Sequence, residues 1–241
     1  MADLLLTLSG VHTHIGPYHI LHGVDFAVPD GEVTMLLGRN GAGKTTTLRS
    51  IMGLWTPTAG QIRFAGQDIA AMATPEIARL GIAYVPETMG IFTQLTVREN
   101  LLLATGPAGF KPHKLAEVLA LFPVIELKFN QQAGGLSGGQ KQMLAIARAI
   151  IEDRRLLVID EPTKGLAPGV IVQLIEGFQR LKAARTTILL VEQNFEMARA
   201  LGDSVAVMED GCIVHRGAMA DLAADTALQE HLLGLSLGAL Q

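Results

Sequence analysis

The chain has 241 residues, of which 49% are hydrophobic and 17% charged, enough to bury the core of one sizeable α/β domain. The net charge of -4 provides no basic footprint for nucleic acid, and no apolar run approaches the roughly 20 residues of a membrane helix. A single cysteine excludes an internal disulfide, and no export signal is visible at the N-terminus, so the sequence indicates a soluble intracellular protein.

Alternating apolar residues predict two half-buried antiparallel strands near the N-terminus, over residues 4–8 and 24–28. A nearly continuous apolar run at 33–37 predicts a strand buried on both faces. It leads into a glycine-rich loop and a predicted helix over about 43–54. Two further strands are predicted at 61–64 and 82–85, the second of which is stopped by Pro86.

The pattern then becomes helical to about residue 155, with predicted helices at 96–104, 114–122 and 138–151. Strand patterns return at 156–159, 188–191 and 205–208, and a helix at about 169–183 provides the crossover that parallel strands require. Asp210 and Gly211 predict a hairpin turn. The sequence therefore predicts one α/β domain over 1–241. Its core is expected at about 1–87 and 156–241, with an N-terminal antiparallel β subdomain, and 88–155 is expected to form an inserted helical subdomain.

Residues 38–45 match G-x-x-x-x-G-K-[ST] in the strand-to-helix context that this pattern needs. The glycines let backbone N–H groups turn inward around phosphate oxygens, and the positive end of the following helix adds to that field. Lys44 is expected to reach the β- and γ-phosphates, and the Thr45 hydroxyl to ligate magnesium. A P-loop NTPase (RecA-like) core is predicted, with nucleotide contacts from Gly38, Arg39, Asn40, Gly41, Ala42, Gly43, Lys44, Thr45 and Thr46.

Two acids, Asp160 and Glu161, end the apolar run at 156–159. An unpaired carboxylate is costly in a buried strand, and magnesium held by Asp160 would compensate it. Glu161 is placed to polarise an attacking water as general base. Many strands end in acidic loops, but together with the glycine-rich octet these acids predict nucleotide hydrolysis.

A second glycine-rich segment has the pattern of a helix start. Ser137 and Gln140 predict a capping box, and Gly138 and Gly139 leave the first N–H groups open to an anion. A nucleotide has one terminal phosphate, so two phosphate-binding devices on one chain indicate a nucleotide held between two subunits. The alternative is a helix start that binds no ligand.

The pentapeptide Leu-Ser-Gly-Gly-Gln, between the octet and the paired acids, resembles the signature of ATP-binding-cassette (ABC) ATPases. The match covers nearly the whole chain in the order of the family's motifs. It implies a head-to-tail dimer in which each ATP, with Mg²⁺, lies between the octet of one subunit and the pentapeptide of the other. It also implies that ATP binding closes the dimer, that hydrolysis at Glu161 reopens it, and that this motion drives two membrane subunits.

Four positions depart from the commonest pattern of that family. Glu87 replaces a magnesium-sensing glutamine, Ala167 replaces an aspartate, and Gln193 replaces a histidine that contacts the γ-phosphate. Glu87 is therefore expected near the metal and Gln193 at the catalytic site. Ile15 stands where an aromatic stacks on adenine, and Tyr18 is the nearest aromatic that could substitute for it.

Val-Pro-Glu, Gly-Leu-Ala-Pro and Val-Glu-Gln-Asn together resemble the smaller ATPase subunit of branched-chain amino-acid importers. The resemblance implies ATP hydrolysis coupled to import, at the cytoplasmic face of the inner membrane. The partners it implies are a second ABC ATPase, identical or different, two transmembrane permease subunits and, indirectly, a periplasmic solute-binding protein. Urea and short amides remain alternative solutes.

Two other classes fit the sequence less well. ABC ATPases without a membrane partner carry long coiled coils or two cassettes, and a GTPase would need N-K-x-D. Outside the motifs, Lys164 is expected to be a solvated charge, and the seven histidines show no metal-ligand spacing. The apolar loop at 89–92 is expected either to pack into the helical insertion or to form a groove for a helix of the membrane subunit.

Overall fold

The computed structural model describes residues 3–107 and 109–234. In chain order the elements are β1 (Leu4–Ile15), β2 (Tyr18–Pro29), β3 (Val33–Leu37), α1 (Lys44–Ile51), β4 (Ala59–Phe64), β5 (Gln67–Asp68), α2 (Thr74–Arg79), β6 (Ile82–Val85), α3 (Val97–Leu102), α4 (Pro112–Leu121), α5 (Pro123–Leu127), a 3-10 turn (Ala133–Gly135), α6 (Gly138–Ile150), β7 (Leu156–Asp160), α7 (Pro168–Ala183), β8 (Ile188–Glu192), α8 (Phe195–Leu201), β9 (Ser204–Glu209), β10 (Cys212–Ala218), α9 (Met219–Ala224) and α10 (Thr226–Leu233).

The strands form two sheets. The smaller one is antiparallel, with the order β2-β1-β4-β5, and the larger has the order β10-β9-β3-β8-β7-β6. Within the larger sheet every neighbouring pair is parallel except β9 and β10, which form a hairpin. The predicted parallel core, antiparallel N-terminal sheet and hairpin turn are confirmed.

The larger sheet is covered on both faces, which explains its continuous apolar strands. On one face Leu36 and Val158 pack with the antiparallel sheet and α1. On the other, Leu37 and Ile159 pack with the helices α6, α7 and α8. Successive side chains of one strand therefore enter two different apolar layers.

The helix predicted over 43–54 is shorter in the structure, where α1 ends at Ile51. Gly53 takes a left-handed φ of +66°, and a Cβ there would lie 2.5 Å from the Met72 carbonyl oxygen, so the chain must turn at this glycine. The helices α2, α5, α8, α9 and α10 were not predicted, because five to eight residues show only about two turns of apolar periodicity or fewer. Along the described part of the chain, no helix has the length and apolar character needed to cross a membrane.

Candidate functional site

The candidate site lies at the carboxyl edge of the larger sheet, where ligands bind in open α/β folds. The central strand β3 ends at Leu37 and continues into the glycine-rich loop. Its neighbour β8 ends at Glu192, and β7 ends at Asp160. Parallel pairing therefore brings three segments that are far apart in sequence to one place.

The glycine-rich loop is a tight turn that only glycine permits. Gly38 has a φ of +147°, and a Cβ there would overlap the Met208 carbonyl oxygen. Gly43 has a φ of +107° and caps α1 without a side-chain acceptor, so the first N–H groups of α1 have no side-chain cap there to compete with an anion. Lys44 is buried, and its Nζ donates to the carbonyl oxygens of Gly38 at 2.9 Å and Arg39 at 3.0 Å.

Beside the loop, Thr45 and Asp160 bring two oxygen ligands together. Thr45 Oγ1 donates to Asp160 Oδ1 at 3.2 Å, and Asp160 is fully buried. Burial raises the pKa of Asp160, and the nearby charges of Glu161 and Glu87 raise it further, although the Thr45 hydrogen bond opposes this. Burial, with the charge of Asp160, also raises the pKa of Tyr84 to about 12. A hydroxyl and a carboxylate of this kind suit Mg²⁺, which prefers hard oxygen ligands.

Glu161 is held in an uncommon backbone conformation among cations and an amide. Its φ is +44°, which is rare for a residue other than glycine. Lys44 Nζ lies 3.3 Å from Oε1 and Lys164 Nζ 3.5 Å from Oε2, while Gln193 Nε2 donates to Oε1 at 2.7 Å. Burial acts to raise the pKa of Glu161, but the Gln193 hydrogen bond and the charge of Lys44 outweigh it and lower the pKa.

Lys164 is more than a solvated charge. Its Nζ lies 2.6 Å from Glu87 Oε1 as well as near Glu161, and the Glu87 carboxylate raises the pKa of the lysine. Glu87 therefore lies at the same edge as the predicted metal residues, with its carboxylate paired to a lysine. This contact cannot be predicted from the sequence, because the two residues come from loops after different strands.

Glu192 is a second residue that sequence analysis missed. Its buried carboxylate accepts hydrogen bonds from Thr163 N at 3.0 Å, Thr163 Oγ1 at 2.8 Å and the backbone N of Gln193 and Asn194 at 3.1 and 3.2 Å. Burial raises the pKa of Glu192 despite these bonds. The residue joins the loop after β7 to the loop after β8, and so positions Gln193. The sequence feature that could have identified Glu192 is an acidic residue at the end of an otherwise apolar strand.

These groups surround a cleft of about 380 Å³, whose described lining residues are Ile20, Asn40, Gly41, Gly43, Lys44, Thr45, Thr46, Glu87, Glu161 and Lys164. Gln193 lies at its edge, bonded to Asn40 Oδ1 at 2.8 Å. Tyr18, the predicted adenine contact, is outside this lining and is 69% exposed at the turn between β1 and β2. Ile20 occupies the cleft wall on that side, a residue that sequence analysis did not identify.

The capping box predicted at the second glycine-rich segment is present. Ser137 Oγ accepts from Gln140 N at 3.3 Å, and Gln140 Oε1 accepts from Ser137 N at 3.0 Å. Gly138 is exposed, whereas Gly139 packs so closely on α7 that a Cβ would overlap Val170. None of these four residues is among the described residues that line the cleft. One chain therefore presents its two glycine-rich segments at separate places.

The loop geometry and the residues at the sheet edge define a P-loop nucleoside triphosphatase. A family model described as "ABC transporter" matches residues 21–164. The chain belongs to the ABC transporter family, as an ATP-binding subunit that hydrolyses ATP. ATP-binding subunits of these transporters work with membrane permease subunits.

Curated relatives include importers and exporters. The chain is 38% identical to the high-affinity branched-chain amino acid transport ATP-binding protein BraG of Pseudomonas aeruginosa, over 95% of this chain and 100% of that protein. It is 34% identical to a probable branched-chain amino acid transport ATP-binding protein LivF of Archaeoglobus fulgidus, over 90% of this chain and 93% of that protein. It is also 38% identical to the Nod factor export ATP-binding protein I of a Rhizobium species, over 88% of this chain and 70% of that protein.

A solved structure supports the fold assignment. The crystal structure of an ATP-binding cassette of an ABC transporter in its ADP conformation superposes with a TM-score of 0.82 at 26% identity, covering 97% of this chain and 100% of that one.

Proposed function

We propose that the protein is the ATP-hydrolysing subunit of an importer for branched-chain amino acids. One observation carries the solute assignment: the match to BraG spans the whole of that protein and nearly all of this chain, whereas the matched exporter is longer than the aligned region. The same assignment is supported by Glu87, Ala167 and Gln193, because the segments that contain them resemble those of that importer subgroup.

ATP binding is assigned to the glycine-rich loop. The backbone N–H groups of the loop and of the first turn of α1 would hold the phosphates, with Lys44 giving up its carbonyl partners to bind the β- and γ-phosphate oxygens. Thr45 and Asp160 would hold Mg²⁺, which when bound neutralises phosphate charge. Glu87 would act near that ion, once released from Lys164.

Hydrolysis is assigned to Glu161 and Gln193. The lowered pKa keeps Glu161 ionised at neutral pH, so that its carboxylate can accept a proton from the attacking water. Gln193 Nε2 donates to Glu161 and to Asn40. Its amide can keep the bond to the carboxylate and, by releasing Asn40, donate its other hydrogen to the γ-phosphate. An amide makes these contacts without the cationic form that a histidine would offer.

A second ATPase subunit, identical or different, is proposed to complete the site through Ser137, Gly138, Gly139 and Gln140. The supporting observation is that these residues lie outside the cleft while the exposed start of α6 offers N–H groups. Ile15 and Tyr18, paired at the turn of β1 and β2, are the proposed adenine contacts.

A membrane permease subunit is proposed to dock at a groove of about 430 Å³ between β6 and α6, lined among others by Leu54, Met89 and Ala104. Leu54 and the neighbouring Phe92 are about half exposed. Residues 88–155 supply much of this groove as a helical subdomain, with 1–87 and 156–241 as the core. The protein would then lie at the cytoplasmic face of the inner membrane, with a periplasmic solute-binding protein acting indirectly.

Uptake of labelled leucine tests the solute assignment in a strain that lacks this gene. Wild-type protein should restore uptake, whereas Glu161→Gln should not, although it is expressed equally. Urea uptake measured in parallel distinguishes the alternative. If the strain that lacks the gene loses urea uptake but keeps leucine uptake, the branched-chain assignment is contradicted and the ATPase assignment still stands.

A further inference from the structure

Four of the seven histidines lie on the hairpin of β1 and β2, at His12, His14, His19 and His22. The strand register pairs His12 with His22 and His14 with His19. Directly opposed residues project to the same face of a sheet. The four rings therefore lie together on the face of the antiparallel sheet turned away from its apolar core.

A bulge creates this arrangement. Thr13 pairs with Leu21 and His14 pairs with His19, so Ile20 is the extra residue in β2. The bulge brings His19 and His22 to one face although they are three residues apart, a spacing that normally alternates faces. The sequence spacing of the histidines therefore did not reveal the cluster.

His19 is at the centre of the cluster. Its ring stacks on His14 with centroids 4.1 Å apart and lies 4.0 Å from the His22 ring and 5.2 Å from the His12 ring. The closest polar contact joins His12 Nδ1 and His19 Nε2 at 3.1 Å. Nitrogen atoms of two rings are therefore already close together, and the neutral imidazole is the form that binds metals.

Thr58 contacts a third ring. Its Oγ1 lies 3.0 Å from His14 Nδ1 and 3.3 Å from the His12 carbonyl oxygen, to which the hydroxyl can donate. With the hydroxyl donating to that carbonyl, His14 Nδ1 carries the proton and donates to Thr58, which leaves the lone pair on Nε2. A hydrogen bond to the other ring nitrogen is the usual support of a metal-ligating histidine.

We propose that this histidine cluster binds a divalent transition-metal ion such as Zn²⁺, through His12 Nδ1, His19 Nε2 and His14 Nε2. Zinc–nitrogen bonds of about 2.0–2.1 Å in a tetrahedral site place two ligand nitrogens roughly 3.3 Å apart, close to the 3.1 Å between His12 and His19. In the side-chain positions of the described residues, no three donors already surround one point. The third bond therefore requires the exposed His14 ring to tilt off its stack on His19 while its Nδ1 stays bonded to Thr58.

Isothermal titration calorimetry of the full, untagged chain with ZnCl₂ tests the proposal. Excess Mg²⁺ in the buffer occupies carboxylate sites without competing for imidazole. We expect one Zn²⁺ per chain, and at least about a tenfold loss of affinity in His19→Ala. Thr58→Val, which removes the support of His14, should weaken binding by about tenfold. Acidification, which protonates the ring nitrogens that bind the metal, should also release it.

His113→Ala is the matched control, because His113 is exposed on α4, away from the hairpin. Its affinity for Zn²⁺ should equal that of the wild type. Circular dichroism of each variant checks that the fold is retained, which is expected because the substituted His19 is exposed. Failure of the wild type to bind Zn²⁺, or binding in a folded His19→Ala variant equal to the wild type, would overturn the proposal.

Discussion

The carboxylate of Glu161 is positioned by its backbone and by its neighbours. A left-handed φ at a non-glycine residue costs of order 1–3 kcal/mol, and here it directs a 7% exposed carboxylate into the cleft. Lys44, Lys164 and Gln193 all contact its oxygens. These contacts hold the carboxylate ionised and fixed, the two properties that a general base needs.

Glu161→Gln should therefore abolish turnover while leaving ATP binding intact. The amide keeps the size of the side chain and cannot accept a proton, so we expect kcat to fall by at least about 100-fold. Steady-state phosphate release and binding of a fluorescent ATP analogue measure the two properties separately. Glu126→Gln, an exposed carboxylate on α5, should match the wild type, and unchanged hydrolysis in Glu161→Gln would remove this residue from its role.

Gln193→Ala should move the acid limb of the kcat–pH profile to higher pH. The Gln193 hydrogen bond stabilises the ionised form of Glu161, so its loss raises the pKa of the base, which is then protonated at a less acidic pH. Asn40→Ala removes the other partner of the same amide and should leave the acid limb in place. If the acid limb does not move in Gln193→Ala, the proposed effect of Gln193 on the pKa of Glu161 is contradicted.

At the scale of elements, the start of α7 shows what the replacement of an aspartate by Ala167 does locally. Ala167 is the N-cap residue and provides no side-chain acceptor, and Pro168 follows at the first helical position. A carboxylate at this position would accept from a free backbone N–H and interact favourably with the positive end of the helix.

Ala167→Asp should therefore stabilise the isolated subunit by about 1 kcal/mol. Urea unfolding followed by circular dichroism measures this as a higher midpoint with an unchanged slope. Ala167→Leu is the matched control, since it changes the same exposed position without adding an acceptor, and it should give no stabilisation. A midpoint for Ala167→Asp at or below that of the wild type would contradict the capping argument.

The parts of this site that are formed by contiguous motifs could be predicted from the sequence, whereas its long-range contacts could not. The loop with Lys44 could be located because its strand, turn and helix follow one another in sequence. The contact of Lys164 with Glu87 could not, because it joins loops after two strands, β6 and β7, that become neighbours only in the sheet. The bulge at Ile20 was equally invisible, since it depends on how β1 and β2 are paired.

For the whole molecule, the separation of the cleft from the exposed start of α6 would determine how the proposed pair of subunits associates. In a head-to-tail pair, each α6 would face the phosphates held by the other chain, so ATP would lie between the two surfaces. Without nucleotide, the facing surfaces would lack the anion that their N–H groups bind. Association should therefore depend on bound ATP.

The protein purified alone should be largely monomeric, and the Glu161→Gln variant should become dimeric with ATP, as measured by light scattering after size exclusion. A stable dimer without nucleotide would contradict the closure model.

Gly138→Asp tests the interface directly. Among the described residues, the nearest atom to a Cβ at Gly138 belongs to Leu166, at 3.9 Å, and an acid in the first helical turn is favourable for the helix. The monomer should therefore fold and bind ATP normally. Placed opposite a γ-phosphate, however, the same charge repels it. Combined with Glu161→Gln, Gly138→Asp should therefore prevent the ATP-dependent dimer.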